Sequence, residues 1–181
     1  MKSWSPYILT PAAALMISVP AGAITYLSVK EAKKVCFPNA NRFEETHIMF
    51  SDAQIKTIEN LTGQKIRTRG QQVWKAWNED ILLGFFIIDY VIGKHEVIDY
   101  AIALDDQGQV HQIEILTYRE SYGWEIRNKN WRKQFIGKTS HSPLELHEDI
   151  VNIGGATLSC RNVTQGIKKV LTIYETILKN S

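Results

Sequence analysis

The segment from residue 71 to residue 118 contains several short β-branched and aromatic runs, and it limits the possible folds more than any other part of the chain. Turn-length stretches at 78–80, 93–94 and 105–108 separate these runs. Connections this short join antiparallel neighbours. The pattern therefore predicts a meander of antiparallel strands. The run 82–88 is almost continuously apolar, which predicts a central strand covered on both faces, with helices on at least one.

Helical patterns lie outside the strand-rich segment. Ser28 with Glu31, and Ser51 with Gln54, have the spacing of capping boxes and predict two helix starts. From Leu158 to about Leu178 the apolar residues follow a helical period, which predicts a long amphipathic helix. Because strands and helices are segregated along the chain, the predicted fold class is α+β, an antiparallel β-sheet with packed helices.

The first 23 residues have the pattern of a secretory signal peptide. Lys2 precedes an apolar stretch that runs from Tyr7 towards Leu27, with Ala-Gly-Ala at 21–23 near its end. We expect cleavage after Ala23, leaving residues 24–181 as a single domain that is periplasmic or otherwise exported. The alternative is an uncleaved anchor that keeps the protein membrane-associated, since residues 7–27 could just span a bilayer.

Composition excludes several classes of function. Lys and Arg outnumber Asp and Glu by only 21 to 19, which gives no reason to expect a nucleic-acid partner. Cys36 and Cys160 are too few for a haem-attachment motif or a four-cysteine cluster, and whether they form a disulfide stays open. The five histidines show no metal-ligand spacing. No dinucleotide fingerprint, nucleophile elbow or carboxylate dyad indicates independent catalysis.

The stretch 153–161, Ile-Gly-Gly-Ala-Thr-Leu-Ser-Cys-Arg, combines flexible backbone, two hydroxyls and a helix start. Gly154 and Gly155 allow a ligand to approach the backbone closely, and Thr157 or Ser159 could cap the helix. Free amides at that helix start favour a phosphate. The alternative is a loop and a helix cap with no ligand.

This stretch resembles the Ser/Thr-Gly-Ala-Thr-x-Ser/Thr motif of the FMN-binding domain family, which includes periplasmic flavin subunits of the Rnf and sodium-pumping NADH:quinone oxidoreductase complexes. The resemblance implies covalent FMN, joined through its phosphate to Thr157 by a separate flavin transferase. It also implies that Gly155 and Ala156 belong to the site and that Ser159 contacts phosphate or caps the helix. Val151 replaces an Asp that is common in the family; Asp149 lies two residues earlier.

A second element, Glu-Ser-Tyr-Gly-Trp at 120–124, is similar to the family's Glu-Thr-Pro-Gly-Leu-Gly loop, which lines the flavin ring. The resemblance implies ring contacts from Glu120, Ser121, Gly123 and Trp124, although Tyr122 and Trp124 depart from the pattern. Lys138, after a glycine, is a candidate for stabilising reduced, anionic flavin. Lys94 follows a glycine in the same way and could balance phosphate charge or simply be solvated.

Together these features predict an electron carrier with no substrate of its own, serving redox partner proteins or a membrane electron-transfer complex. The alternative is a flavin-binding redox sensor or assembly module of a membrane-associated complex. A third possibility is an exported adhesion or scaffold domain without a cofactor.

Overall fold

The computed structural model of the protein describes residues 23–180. Its strands are β1 (Ile24–Thr25), β2 (Arg42–Met49), β3 (Gly70–Asn78), β4 (Ile81–Ile92), β5 (Val97–Asp105) and β6 (Val110–Tyr118). Its helices are α1 (Val29–Cys36), α2 (Asp52–Thr62), α3 (Lys129–Arg132) and α4 (Thr157–Thr176), with 3₁₀ turns at Trp124–Arg127, Lys133–Phe135 and Leu178–Asn180. Apart from Ala23, the predicted leader lies outside the described residues. None of the helices described is long and apolar enough to cross a membrane.

The strands form one six-stranded antiparallel sheet in the order β1-β6-β5-β4-β3-β2. From β2 to β6 each strand pairs with the next along the chain, which confirms both the α+β class and the predicted meander. The sequence pattern did not predict β1. It adds to the sheet edge by pairing Ile24 with Tyr118.

The central strand β4 is covered on both faces, as its apolar run predicts. Phe85 and Ile87 lie in one core cluster with Val163 and Ile167 of α4. Phe86 lies in the other cluster, where α1 contributes Ala32 and Cys36. Alternate residues of β4 therefore hold α4 on one side of the sheet and α1 on the other.

Both capping boxes are confirmed. The Ser28 hydroxyl accepts a hydrogen bond from the Glu31 amide while the Glu31 carboxylate accepts one from the Ser28 amide. Ser51 and Gln54 make the same reciprocal pair at the start of α2.

The start of α4 differs from the prediction. The helix begins at Thr157 with Ala156 as its N-cap, and no side chain caps it. It starts one residue before the predicted Leu158, because the Ala156 carbonyl accepts the first helical hydrogen bond, from the Cys160 amide at 2.9 Å. The prediction that Thr157 or Ser159 caps this helix is therefore wrong.

Cys36 and Cys160 are free and buried. They belong to the core clusters on opposite faces of the sheet, which answers the question that the sequence left open.

Candidate functional site

A cavity of about 400 Å³ opens where the β4–β5 turn, the loop after β6 and the start of α4 meet. The sheet register explains this meeting: Ile98, just after the β4–β5 turn, pairs with Tyr118 at the end of β6. The antiparallel arrangement therefore brings the two connections to the same end of the sheet. The cavity is lined by Lys94, His95, Glu120, Ser121, Tyr122, Gly155, Ala156, Thr157, Leu158 and Ser159.

Glu120 joins two walls of the cavity. Its Oε1 atom accepts hydrogen bonds from the backbone amides of His95 at 2.5 Å and Glu96 at 2.9 Å. Burial raises the pKa of Glu120, but the amides of Glu96, His95 and Lys94 outweigh burial, so the pKa lies below its ordinary value. The ionised carboxylate thus ties the loop after β6 to the β4–β5 turn.

Ser159 fixes the same loop from the helix side. Its hydroxyl is 3.0 Å from the Tyr118 hydroxyl, which also donates to the Tyr122 carbonyl at 2.5 Å. Burial raises the pKa of Tyr118, which keeps the phenol protonated and able to donate at neutral pH. Gly123, with φ +90°, lies against this pair: a Cβ there would be 2.7 Å from the Tyr118 hydroxyl and 2.8 Å from that of Ser159.

Thr157 occupies the first position of α4, where backbone amides have no partner within the helix. Its Oγ1 atom accepts a hydrogen bond of 2.9 Å from the Asn152 side-chain amide. The Oδ1 atom of Asn152 is buried and has no hydrogen-bond partner among the described residues. Gly155 just before the helix has φ +84°, and nothing lies within 4 Å of a Cβ built there. The backbone beside Thr157 is therefore open to a ligand.

The structure places most of the sequence-predicted residues together. Glu120, Ser121, Gly155, Ala156, Thr157 and Ser159 all line the cavity. Gly123 supports it from behind. Trp124 is not part of the lining. It is the first residue of the 3₁₀ turn Trp124–Arg127 and is 56% exposed.

Lys138 lies outside the cavity. Its ammonium group forms an ion pair of 2.8 Å with Asp149. Asp149 also accepts from the amides of Leu144 and Glu145, so both members of the pair hold the turn before residue 150. In this structure Lys138 supports a turn and does not line the cavity.

The cavity also contains Lys94, whose role the sequence left open between charge balance and solvation, and three residues that the sequence did not indicate, namely His95, Tyr122 and Leu158. Tyr122 is 84% exposed, so it is not the core residue that an isolated aromatic usually is. The glycine before Lys94 and the polar neighbours of Tyr122 were the available indications. Only the pairing of β5 with β6 shows that the two segments meet.

Comparison with known proteins agrees with this geometry. Residues 93–172, which contain the β4–β5 turn, the loop after β6 and most of α4, match the profile of the FMN-binding domain. No curated protein sequence matches the chain.

Two solved structures share the fold. NqrC of Shewanella oneidensis superposes with a TM-score of 0.57 at 13% identity, covering 81% of this chain and 86% of its own. A subunit of the Na⁺-translocating NADH-quinone reductase of Parabacteroides distasonis gives a TM-score of 0.55 at 13% identity, covering 86% and 87%. At this identity the likeness concerns the fold.

The groups around this cavity suit the chemistry of FMN, the ligand named by the matching family model. The uncapped start of α4 offers backbone donors to a phosphate, and Lys94 adds a positive charge at the opposite wall. Tyr122 and Trp124 offer exposed aromatic surface at the rim or beside it.

Proposed function

We propose that this protein is an exported electron carrier that holds FMN through a phosphoester at Thr157. The observation that carries the proposal is the position of the Thr157 hydroxyl. It lies on the first residue of an uncapped helix, at a cavity that the matched segment 93–172 builds from three separate connections.

The phosphate would be held at the start of α4. Amides of the first helical turn and the open backbone at Gly155 supply donors, while Lys94 supplies charge. Asn152 positions the attachment hydroxyl through its 2.9 Å hydrogen bond. A flavin transferase would form the ester from FAD: the Thr157 hydroxyl oxygen bonds to the FMN phosphorus, the pyrophosphate bond of FAD breaks, and AMP leaves.

The ring would lie between the 120–122 loop and the β4–β5 turn. Glu120 and Ser121 line this side of the cavity, and Tyr122 offers a flat surface at its rim. FMN supplies one- and two-electron redox chemistry when bound. The chain contributes position and charge: the Glu120 carboxylate stays ionised because backbone amides hold it, so the negative charge near the ring is fixed.

The likeness to a component of a larger complex supports a carrier role over a free-standing enzyme. The similar protein of Parabacteroides distasonis is one subunit of an NADH-quinone reductase, and NqrC of Shewanella oneidensis is similar to this chain to the same degree. We infer that this chain likewise exchanges electrons with partner proteins or a membrane complex.

Attachment is tested by expressing the protein with a flavin transferase and measuring flavin fluorescence on a denaturing gel. Thr157→Ala should abolish the fluorescent band, whereas Thr176→Ala at the far end of α4 should keep it. If Ser159→Ala removes the band and Thr157→Ala does not, the wrong hydroxyl has been assigned. If no variant carries flavin at all, including wild type, the attachment proposal fails.

Export is tested separately by N-terminal sequencing of protein from its native host, which should read Ile24-Thr25-Tyr26. Met1 at the start of protein recovered with membranes would establish the anchor instead. A flavin that no membrane donor reduces, but whose presence controls a partner complex, would favour the redox-sensor alternative.

A further inference from the structure

A second cavity, of about 410 Å³, lies beside the cavity at Thr157, which is called the flavin cavity from here on. The β4–β5 turn contributes to the walls of both. The other walls of the second cavity are the segment 64–68, the end of β4 and the outer part of α4. The two cavities have neighbouring walls: Gly93 lines this one and Lys94 the other, and Asn162 follows Leu158 by one helical turn. Between the two cavities, the Asn162 side-chain amide of α4 donates to the carbonyls of Ile92 and Gly93 at 2.6 and 3.1 Å.

A buried chain of polar groups lies at one wall of this second cavity. Tyr100 donates to Asp89 Oδ2 at 2.6 Å, and Lys169 donates to Asp89 Oδ1 at 2.9 Å. Asp89 is 5% exposed and Tyr100 is fully buried. Gly166 makes room for this arrangement, since a Cβ there would lie 2.4 Å from the Tyr100 hydroxyl.

Stability does not account for this ion pair. Desolvating two charges generally costs about as much as their attraction returns, and apolar replacements are often as stable or more so. Lys169 lines the cavity and has three donors, of which Asp89 takes one. No other described residue accepts from the Lys169 ammonium group, so its remaining donors are available to a ligand.

The charge balance of the second cavity selects an anion. Lys169 neutralises Asp89, and Lys65 pairs with Glu59 at 3.3 Å. Arg67 then adds a positive charge, and none of the residues described by the structure forms an ion pair with it. A guanidinium recognises a carboxylate or phosphate by paired hydrogen bonds.

Besides its charged and uncharged polar groups, the cavity has an apolar part. Phe50, Ile66, Val91 and Ile173 contribute side chains to the same cavity. A ligand that fills the space must therefore combine an anionic group with a small apolar body, and the volume falls within the range of small-molecule sites, roughly 300–1,000 Å³.

We propose that this second cavity is a binding site for a small amphipathic carboxylate, with Arg67 and Lys169 contacting the carboxylate and the Phe50–Ile173 side contacting the apolar body. The site is separate from the flavin site and does not depend on flavin attachment.

Benzoate serves as the probe, with benzamide as its neutral counterpart of similar shape. In a titration of the isotope-labelled full chain followed by NMR, benzoate should shift the resonances of Gly93, Asn162 and Lys169 more than those of Ser121 and Thr157. Benzamide should bind about tenfold more weakly or worse, since it lacks the negative charge and the second acceptor oxygen that pair with Arg67 and Lys169. The Thr157→Ala variant should bind benzoate as wild type does.

Arg67→Gln should weaken benzoate binding about tenfold, and Arg42→Gln, which removes a charge from an exposed position on β2, should leave it unchanged. The double substitution Asp89→Asn with Lys169→Met removes the ion pair without leaving a lone charge and should also weaken binding. The proposal fails if benzoate does not bind, if benzamide binds equally well, or if Arg42→Gln weakens binding as much as Arg67→Gln. Shifts confined to Ser121 and Thr157 would place benzoate in the flavin cavity and overturn it too.

Discussion

At the scale of single residues, the ionised carboxylate of Glu120 stabilises the folded state through the hydrogen bonds it accepts. Its pKa is lowered from 4.5. Burial raises the pKa, but the hydrogen bonds from the amides of Glu96, His95 and Lys94 together lower it by more. A carboxylate with a lowered folded-state pKa stabilises the fold above its unfolded pKa. That contribution is lost as the pH falls through the folded-state value.

Glu120→Gln should therefore lower the free energy of unfolding by about 1 kcal/mol at pH 7. The difference from wild type should shrink below pH 4.5 and vanish once Glu120 is protonated in the folded protein. Urea unfolding at a series of pH values measures this. Glu148→Gln, on an exposed side chain, is the matched control and should leave stability unchanged. A difference between Glu120→Gln and wild type that persists unchanged at low pH would show that the charge is not responsible.

At Gly123 the space beside Tyr118 and Ser159 is too small for any side chain larger than hydrogen. Gly123→Ala adds a Cβ at φ +90° that would lie 2.7 Å from the Tyr118 hydroxyl. We expect a loss of about 2–4 kcal/mol, combining backbone strain with displacement of the Tyr118–Ser159 pair. Gly137→Ala, at φ +77° with nothing within 4 Å, isolates the strain and should cost about 1 kcal/mol. Equal losses in the two variants, measured by thermal unfolding, would contradict the packing argument.

At the scale of elements, α4 contains a glycine whose substitution should have the opposite of its usual effect. In an exposed helix interior, glycine to alanine stabilises by about 1 kcal/mol. Gly166→Ala would instead place a Cβ 2.4 Å from the Tyr100 hydroxyl and 2.8 Å from Val91 Cγ1. Thermal unfolding should show a net loss of about 1–3 kcal/mol. Gln165→Ala, the exposed neighbour, should change stability by less than about 0.5 kcal/mol. A stabilised Gly166→Ala would mean that Tyr100 moves aside at little cost.

Elements proved more predictable from sequence than the contacts between them. The meander follows from strand runs and turn lengths that lie within a few residues of each other, and each capping box lies within four residues. The role of Ser159 depends on Tyr118, which is 41 residues away. No local pattern carries that information, so the sequence left Ser159 between phosphate contact and helix capping, and only the capping alternative is wrong. The neighbours of Lys94 and the partner of Lys138 depend on tertiary contacts in the same way.

In the candidate site, too, the part built from consecutive residues was predictable and the part that depends on tertiary contacts was not. The residues supplied by the glycine-containing motif at 154–159 lie at one cavity because they are consecutive at the start of one helix. The remaining wall depends on the register of β5 against β6, which brings the β4–β5 turn beside residue 120. Sequence pattern predicted the antiparallel pairing but not that register, so it did not indicate His95 and left the role of Lys94 open.

At the scale of the whole molecule, the sheet separates the two cysteines. Cys36 belongs to the core under α1, and Cys160 to the core under α4, so β-strands lie between them. A disulfide requires Cα atoms within about 7 Å, and two helices packed on opposite faces of a sheet are farther apart than that. The fold therefore keeps the two thiols from forming a disulfide with each other.

Burial also makes these thiols unreactive. It raises the pKa of Cys36 to about 12, with the Glu114 carboxylate adding to the effect, and it raises the pKa of Cys160 as well. Since the thiolate is the reactive species, the folded protein at pH 8 should react with a thiol reagent such as DTNB far more slowly than an unfolded chain. Protein purified without reductant should show both thiols as soon as guanidinium unfolds it. Cys36→Ser and Cys160→Ser should each leave one. Unfolded, unreduced wild-type protein with no titratable thiol would mean that the cysteines are joined, which would contradict their placement on opposite faces of the sheet.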